Sequence, residues 1–154
     1  CEIARPGFGL LLVGAPGWVP KHAAEILETM RQNGRVHYLG YVSDDELTAL
    51  YSSAAAYVFP SSYEGFGLPA LESMACGCPV LASRGSSLDE VVGDAAMQFD
   101  PHSNDEMAAA ILKVTESREK QDALKEAGFA NARRFSWRET AHGTVTAYHK
   151  ALAS

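Results

Sequence analysis

The sequence has few basic residues, and this shortage limits the partners that it can bind. Thirteen lysines and arginines are outnumbered by nineteen aspartates and glutamates, which gives a formal charge of -6 over 154 residues. Binding to nucleic acid or to an anionic lipid surface needs clustered positive charge that displaces counterions. We therefore expect no nucleic-acid partner, and we expect any bound phosphate to be held by a local feature of the chain.

Cysteine and long apolar runs are also scarce. The three cysteines, Cys1, Cys76 and Cys78, lack partners at zinc spacing, so we expect reduced, buried side chains. The five histidines show no metal spacing either, and we expect neither a metal nor another cofactor. No apolar run reaches the roughly 18 residues of a membrane span, and the first twelve residues lack a signal-peptide pattern. These absences predict a cytoplasmic protein without a transmembrane segment and leave peripheral membrane contact open.

Five short apolar runs alternate with helical patterns in the first two thirds of the chain. The runs are residues 9–14, 36–40, 55–60, 79–83 and 96–100. Buried strands that alternate with helices are typical of βαβ units and a parallel sheet. After residue 101 only helical patterns remain, near 104–117, 119–128 and 136–152. The sequence therefore predicts an α/β fold with a Rossmann-like open parallel sheet, helices on both faces and several helices at the end.

The length and the start of the chain predict its domain organisation. A chain of 154 residues with 47% apolar composition fits one ordinary domain. The first apolar run begins at about Gly9 and is preceded only by CEIARPGF, without an initiating methionine. We expect residues 1–154 to form a single domain that is a fragment of a longer protein.

The stretch EGFGLPALE, residues 64–72, lies between a predicted strand that ends at Pro60 and a helical pattern with Pro69 at its first position. In open α/β sheets the carboxyl ends of the strands are where ligands bind. Gly65 and Gly67 can adopt positive φ and let a ligand approach the backbone closely. Free amides at the start of the following helix favour an anion. The turn therefore predicts a phosphate site.

Two carboxylates, Glu64 and Glu72, frame this turn. Like charges repel, so neither carboxylate can hold the phosphate itself, but each can accept hydrogen bonds from the two hydroxyls of a diol. A nucleotide sugar carries a diphosphate between a ribose diol and a sugar diol. It would therefore match both the predicted phosphate site and the two carboxylates. The alternative is that an acid in a first helical turn is ordinary dipole chemistry and that GFG is only a tight turn.

The turn and its flanks together resemble the carboxyl-terminal half of the retaining GT-B glycosyltransferases of family four, also called group 1. That family carries a glutamate, seven residues and a second glutamate around a GFGLP turn, as in SYEGFGLPALESMACGCPVLAS here. Similar runs are VHYLGYVSDDELTALYSSAAAYVFPS, SSLDEVVGDAAMQFDP and RRFSWRETA, so the resemblance covers about residues 9–150. It implies a donor-binding domain of an enzyme that transfers a sugar from a nucleotide sugar to an acceptor with retention and without a metal.

The resemblance also implies roles for the residues of the turn. Glu64 would contact the hydroxyls of the transferred sugar and orient it as its ring becomes cationic, which makes it the candidate catalytic residue. The backbone of Gly65, Phe66 and Gly67 would lie along the sugar and the phosphates. Leu68 would present its amide to the diphosphate. Glu72 would hold the ribose diol.

Other positions carry weaker implications. The backbone near Tyr41 and Val42 would flank the nucleobase, and Glu90 matches a loop acid whose contact the resemblance leaves unassigned. Relatives often have proline where this sequence has Asp89, and a lysine or arginine in the turn that reads GAPGW here, residues 14–18. The family's diphosphate-binding cations, its preceding strand and its amino-terminal acceptor domain lie outside this sequence. We therefore expect the chain alone to be inactive or nearly so.

Three alternatives stay open at this point. A non-catalytic nucleotide-binding or interaction module would keep the fold without the chemistry, and a GT-B epimerase or phosphorylase would use the same site differently. A dinucleotide oxidoreductase is disfavoured because no G-x-G-x-x-G follows the first strand. The SSLDE loop is similar to the SSLPE of many bacterial mannosyltransferase-like members, which favours GDP-mannose over a UDP-sugar.

Overall fold

The computed structural model describes residues 8–15, 17 and 19–153. The predictions made for Cys1, for the strand-following turn at Pro16 and Trp18, and for the first seven residues lie outside these ranges. The chain divides into two compact units between Ala49 and Leu50. In the described residues, no helix has the length and apolar character that crossing a membrane would require.

The amino-terminal unit contains a parallel strand pair. Strand β1 (Leu10–Val13) pairs with β2 (Val36–Gly40), and helix α1 (Lys21–Gln32) connects them. Helix α2 (Asp44–Ser53) follows β2. A capping box forms its start, because the amide of Ser43 donates to the Glu46 carboxylate at 2.7 Å and the amide of Glu46 donates to Ser43 Oγ at 3.3 Å.

The carboxyl-terminal unit contains a three-stranded parallel sheet in the order β3, β4, β5. Its strands are β3 (Tyr57–Phe59), β4 (Val80–Ser83) and β5 (Ala96–Phe99). The connections are α3 (Leu68–Ala75) and α4 (Ser87–Val92), the latter followed by a 3-10 turn (Gly93–Ala95). Three further helices complete the unit: α5 (Asn104–Thr115), α6 (Arg118–Ala132) and α7 (Trp137–Leu152).

The core of this unit lies on both faces of its central strand. Val80 and Ala82 point into one apolar cluster with residues of α3 and α4, whereas Leu81 points into a second cluster with residues of α5. Successive side chains of a strand point to opposite faces, so a strand covered on both sides must be apolar throughout. This explains the uninterrupted apolar run of β4 and confirms the predicted fold class, with helices on both faces of a parallel sheet.

Helix α4 begins inside the segment that the sequence analysis treated as a loop. A helical pattern was expected between the fourth and fifth apolar runs, but its start was not located; Ser86 accepts a hydrogen bond from the amide of Leu88 and begins a six-residue helix. A helix of fewer than two turns is too short for its apolar spacing to be recognised. The correction matters because α4 lies directly beside the glycine turn.

Candidate functional site

The glycine turn connects the end of β3 to the start of α3, at the carboxyl edge of the three-stranded sheet. This is the position that the sequence predicted. Phe66 and Leu68 are 43% exposed, and Glu64 is partly exposed. The turn therefore presents both backbone and side-chain groups to solvent at the edge where α/β folds bind ligands.

The two glycines of the turn are required for different reasons. Gly67 has a φ of +104°, and a Cβ placed on it would lie 2.5 Å from Cδ2 of the fully buried Leu88. Gly65 does not have φ in the left-handed region, and a Cβ there would meet nothing within 4 Å. Gly67 thus uses the positive φ that a glycine permits, whereas Gly65 does not, and at Gly65 the fold itself would accept a side chain.

The start of α3 lacks a side-chain cap. Its N-cap is Gly67, and Pro69, at the second helical position rather than the predicted first, has no N–H to donate. In contrast, each of the four later α-helices begins with a serine whose hydroxyl accepts from the backbone. These serines are Ser86, Ser103, Ser117 and Ser136. The amide of Ala70 donates to the carbonyl of Gly67 at 3.0 Å, so the amide of Leu68 and the positive end of the helix dipole are the features that suit this terminus to an anion.

The two carboxylates act on a common group. Burial raises the pKa of Tyr57, and the charges of Tyr51, Glu64 and Glu72 add to this rise. Glu64 is partly exposed before the turn, and Glu72 lines the cavity beside α3. That the two acids serve one ligand stays a prediction.

Tyr51 and Tyr57 are neighbours of the site that the sequence analysis missed. Their rings pack edge to face with centroids 5.3 Å apart, and their phenols share a hydrogen bond. Burial raises the pKa of Tyr51, and the charge of Glu72 raises it further. Both phenols therefore stay neutral at physiological pH beside the two carboxylates. In the sequence their only signal was aromatic character, which predicts packing.

The segment from Ser83 to Asp89 holds the turn in place. The hydroxyl of Ser83 donates to the carbonyl of Ser61, and the hydroxyl of Ser87 donates to the carbonyl of Glu64 at 2.6 Å. The carboxylate of Asp89 accepts from the amide of Gly85 at 2.9 Å and from the Gln98 side chain at 3.1 Å. Asp89, which replaces the proline common in relatives, thus stabilises its own loop against β5.

A cavity of about 490 Å³ opens beside the start of α3. Its walls are mainly apolar and come from the turn, from α3 and from the junction between α6 and α7. Phe66 reaches this junction and packs edge to face on Phe135, with centroids 5.8 Å apart. Leu68 and Glu72 also line the cavity, so three of the predicted site residues share one concave surface.

The remaining predicted residues lie elsewhere. Glu90 is exposed on α4. Tyr41, which is 86% exposed, and Val42 belong to the amino-terminal unit, so their contact with a nucleobase stays a prediction. Within the ranges that the structure covers, no group of three His, Cys, Asp or Glu side chains is arranged to hold a metal ion.

A parallel α/β sheet with a glycine turn and an uncapped helix start at its carboxyl edge defines a Rossmann-like ligand-binding domain. The comparisons with known proteins name the family. The chain belongs to the Glycosyl transferases group 1, whose pattern matches residues 3–131. The predicted resemblance to this GT-B group is thereby confirmed.

Individual relatives agree with this assignment. The chain is 41% identical over 144 residues to the O-antigen chain mannosyltransferase B of Escherichia coli, covering 94% of this chain and 38% of that protein. It is 42% identical over 122 residues to the MMP alpha-(1->4)-mannosyltransferase of Mycolicibacterium hassiacum, covering 77% and 30%. The sucrose-phosphate synthase from Thermosynechococcus elongatus matches with a TM-score of 0.79 and 27% identity, covering 94% and 38%. The chain thus spans 30% to 38% of the length of these proteins.

Proposed function

We propose that this chain is the donor-binding half of a retaining glycosyltransferase, which transfers a sugar from a nucleotide sugar to an acceptor. The observation that carries the proposal is the start of α3 without a side-chain cap, with the glycine turn and Glu64 before it and Glu72 within the helix. The helix start suits a diphosphate, and the carboxylates suit the diols at the two ends of a nucleotide sugar. Family membership supports the reaction class.

The chemical step follows from where charge develops. As the anomeric bond breaks, negative charge builds on the leaving phosphate, and the amides at the start of α3 stabilise it. Glu64 orients the sugar while its ring becomes cationic. Attack on the face that the nucleotide leaves gives retention without a protein nucleophile, so none is assigned, and no metal is required for this step.

The donor that we propose is GDP-mannose. Two relatives, at 41% and 42% identity, are mannosyltransferases by name, and the SSLDE loop is of the form that favours this donor. The whole protein, with an amino-terminal acceptor domain, should be incubated with GDP-mannose, UDP-sugars and a candidate acceptor glycan. Release of GDP together with a mannosylated product supports the proposal, whereas binding of nucleotides without transfer supports a non-catalytic module. Release of free sugar phosphate or of an epimer supports a phosphorylase or an epimerase.

Replacement of Glu72 by glutamine should weaken the binding of GDP about tenfold. The reason is that a charge-assisted hydrogen bond contributes on the order of 1.5 to 3 kcal/mol, of which the neutral amide recovers a part. Calorimetric titration with GDP and with its 2',3'-dideoxy form measures the effect. Glu126, an exposed acid on α6, gives the matched control variant Glu126→Gln, which should bind as the wild type does. An equal loss for GDP and its dideoxy form would remove Glu72 from the ribose site.

Replacement of Gly65 by alanine should leave the fold unchanged and weaken donor binding by about tenfold or more. Neither backbone conformation nor packing requires a glycine at this position, so the remaining reason for one is close approach of a ligand. An added methyl group would stand in that space, and a lost close contact costs on the order of 1 to 3 kcal/mol. Titration with GDP-mannose, alongside urea unfolding, separates the two effects. Wild-type affinity in a folded variant would show that the ligand does not approach this backbone.

A further inference from the structure

The segment that begins α4 contacts the glutamate turn through three consecutive residues. Ser86 caps the helix by accepting from the amide of Leu88. Ser87, at the first helical position, donates its hydroxyl to the carbonyl of Glu64 at 2.6 Å across 23 residues of sequence. Leu88 is fully buried and packs beneath Gly67. Because Ser86 already serves as the cap, the hydroxyl of Ser87 is available for the turn.

The hydrogen bond from Ser87 fixes the backbone at Glu64, whose carboxylate is the candidate catalytic group. Glu64 lies in a connection without regular secondary structure, between Pro60 and the start of α3. Backbone carbonyls in such a segment take their hydrogen bonds from side-chain donors or from water. Ser87 supplies the donor for Glu64 and is itself half-buried on a helix whose other face belongs to the core. The turn is thus tied to a rigid element directly at Glu64.

We propose that Ser87 is a positioning residue for sugar transfer: its hydroxyl holds the backbone of Glu64 so that the carboxylate meets the transferred sugar. This inference rests on the proposed function and adds to it a residue outside the glutamate motif. A displacement of about 1 Å at a reacting group can lower the rate about 100-fold, although the hydrogen bond that prevents it is modest. Loss of the bond therefore affects turnover more than nucleotide binding, because the phosphates and the ribose are held at α3.

Three variants of the whole enzyme test the proposal. Ser87→Ala should lower kcat for mannose transfer by about 10- to 100-fold, with the Kd for GDP changed less than threefold. Ser87→Thr keeps the hydroxyl and should restore most of the turnover. The control is Ser103→Ala, which also removes a serine hydroxyl at a helix start, but one that accepts from the amide of Glu106 in its own helix α5. It should keep the wild-type kcat while lowering stability, because it removes a helix cap.

The outcomes separate this inference from the proposed function. A wild-type kcat in Ser87→Ala would overturn the positioning role, as would a loss of kcat matched by an equal loss of GDP binding, or an equally slow Ser87→Thr. Hydrogen exchange of residues 61–67 in the ligand-free protein gives a readout that needs no turnover. Ser87→Ala should speed exchange there, and unchanged exchange would overturn the inference. A wild-type enzyme that transfers no sugar would instead remove the proposed function.

Discussion

Glu64→Gln is expected to lower the turnover of sugar transfer by about 10²- to 10³-fold while the affinity for GDP changes less than threefold. Such factors are typical when one group that stabilises developing charge is removed. The change keeps the size of the side chain and removes the negative charge that, in the proposed function, faces the sugar ring as that ring becomes cationic. GDP lacks the transferred sugar, so we expect its binding not to depend on this carboxylate. Steady-state kinetics with the whole donor and calorimetry with GDP measure the two quantities.

The comparison with Glu72→Gln sharpens this prediction. If the two acids serve opposite ends of the donor, Glu72→Gln should weaken GDP binding and Glu64→Gln should spare it. Glu126→Gln, on an exposed face of α6, controls for the loss of one negative charge from the protein. Unchanged turnover in Glu64→Gln would remove this residue from the site, and parallel losses in both variants would show that the acids do not divide the donor between them.

The strands were predictable because their physical signal is local. Each of the five apolar runs contains a strand, and the boundaries differ by at most two residues, as for residues 55–60 against β3 at Tyr57–Phe59. A buried parallel strand must be apolar on both faces, so its sequence is a run of consecutive apolar residues. The five strands form two hydrogen-bonded sheets, β1–β2 and β3–β4–β5. The apolar runs contain no information on that division, since pairing depends on contacts between distant segments.

The sequence predicted the motif of the candidate site but not the residues that hold this motif in place. The glutamates and glycines lie in nine consecutive residues, so their pattern and its position between a strand and a helix could be recognised from the sequence. Ser87 donates to the carbonyl of Glu64 across 23 residues of sequence, and the contact of Tyr57 with Tyr51 depends on the relative placement of α2 and β3. The spacing of residues along the sequence does not predict such contacts. The same limit explains why the sequence treated Gly65 and Gly67 alike: the positive φ of Gly67 and its contact with Leu88 are set by the folded chain.

Gly67→Ala is expected to destabilise the protein by about 2 to 6 kcal/mol. A residue other than glycine in the left-handed region costs roughly 1 to 3 kcal/mol, and overpacking of a full core costs a similar amount. Both apply at this position, since φ is +104° and the added Cβ would lie 2.5 Å from a Leu88 side chain that is fully buried. Urea unfolding of the whole enzyme measures the loss. Gly65→Ala is the matched control and should stay within about 0.5 kcal/mol of the wild type.

A double substitution separates the two causes of that loss. Leu88→Ala alone should cost about 2 to 5 kcal/mol, because it empties a packed position. In the double variant, Leu88→Ala removes the steric contact made by the new alanine side chain and leaves only the backbone strain. The losses of stability in the two single variants should therefore sum to about 1 to 3 kcal/mol more than the loss in the double variant. Strict additivity would mean that backbone conformation alone requires the glycine. A Gly67→Ala variant as stable as the wild type would contradict both causes and would leave ligand approach as the reason for a glycine at the start of α3.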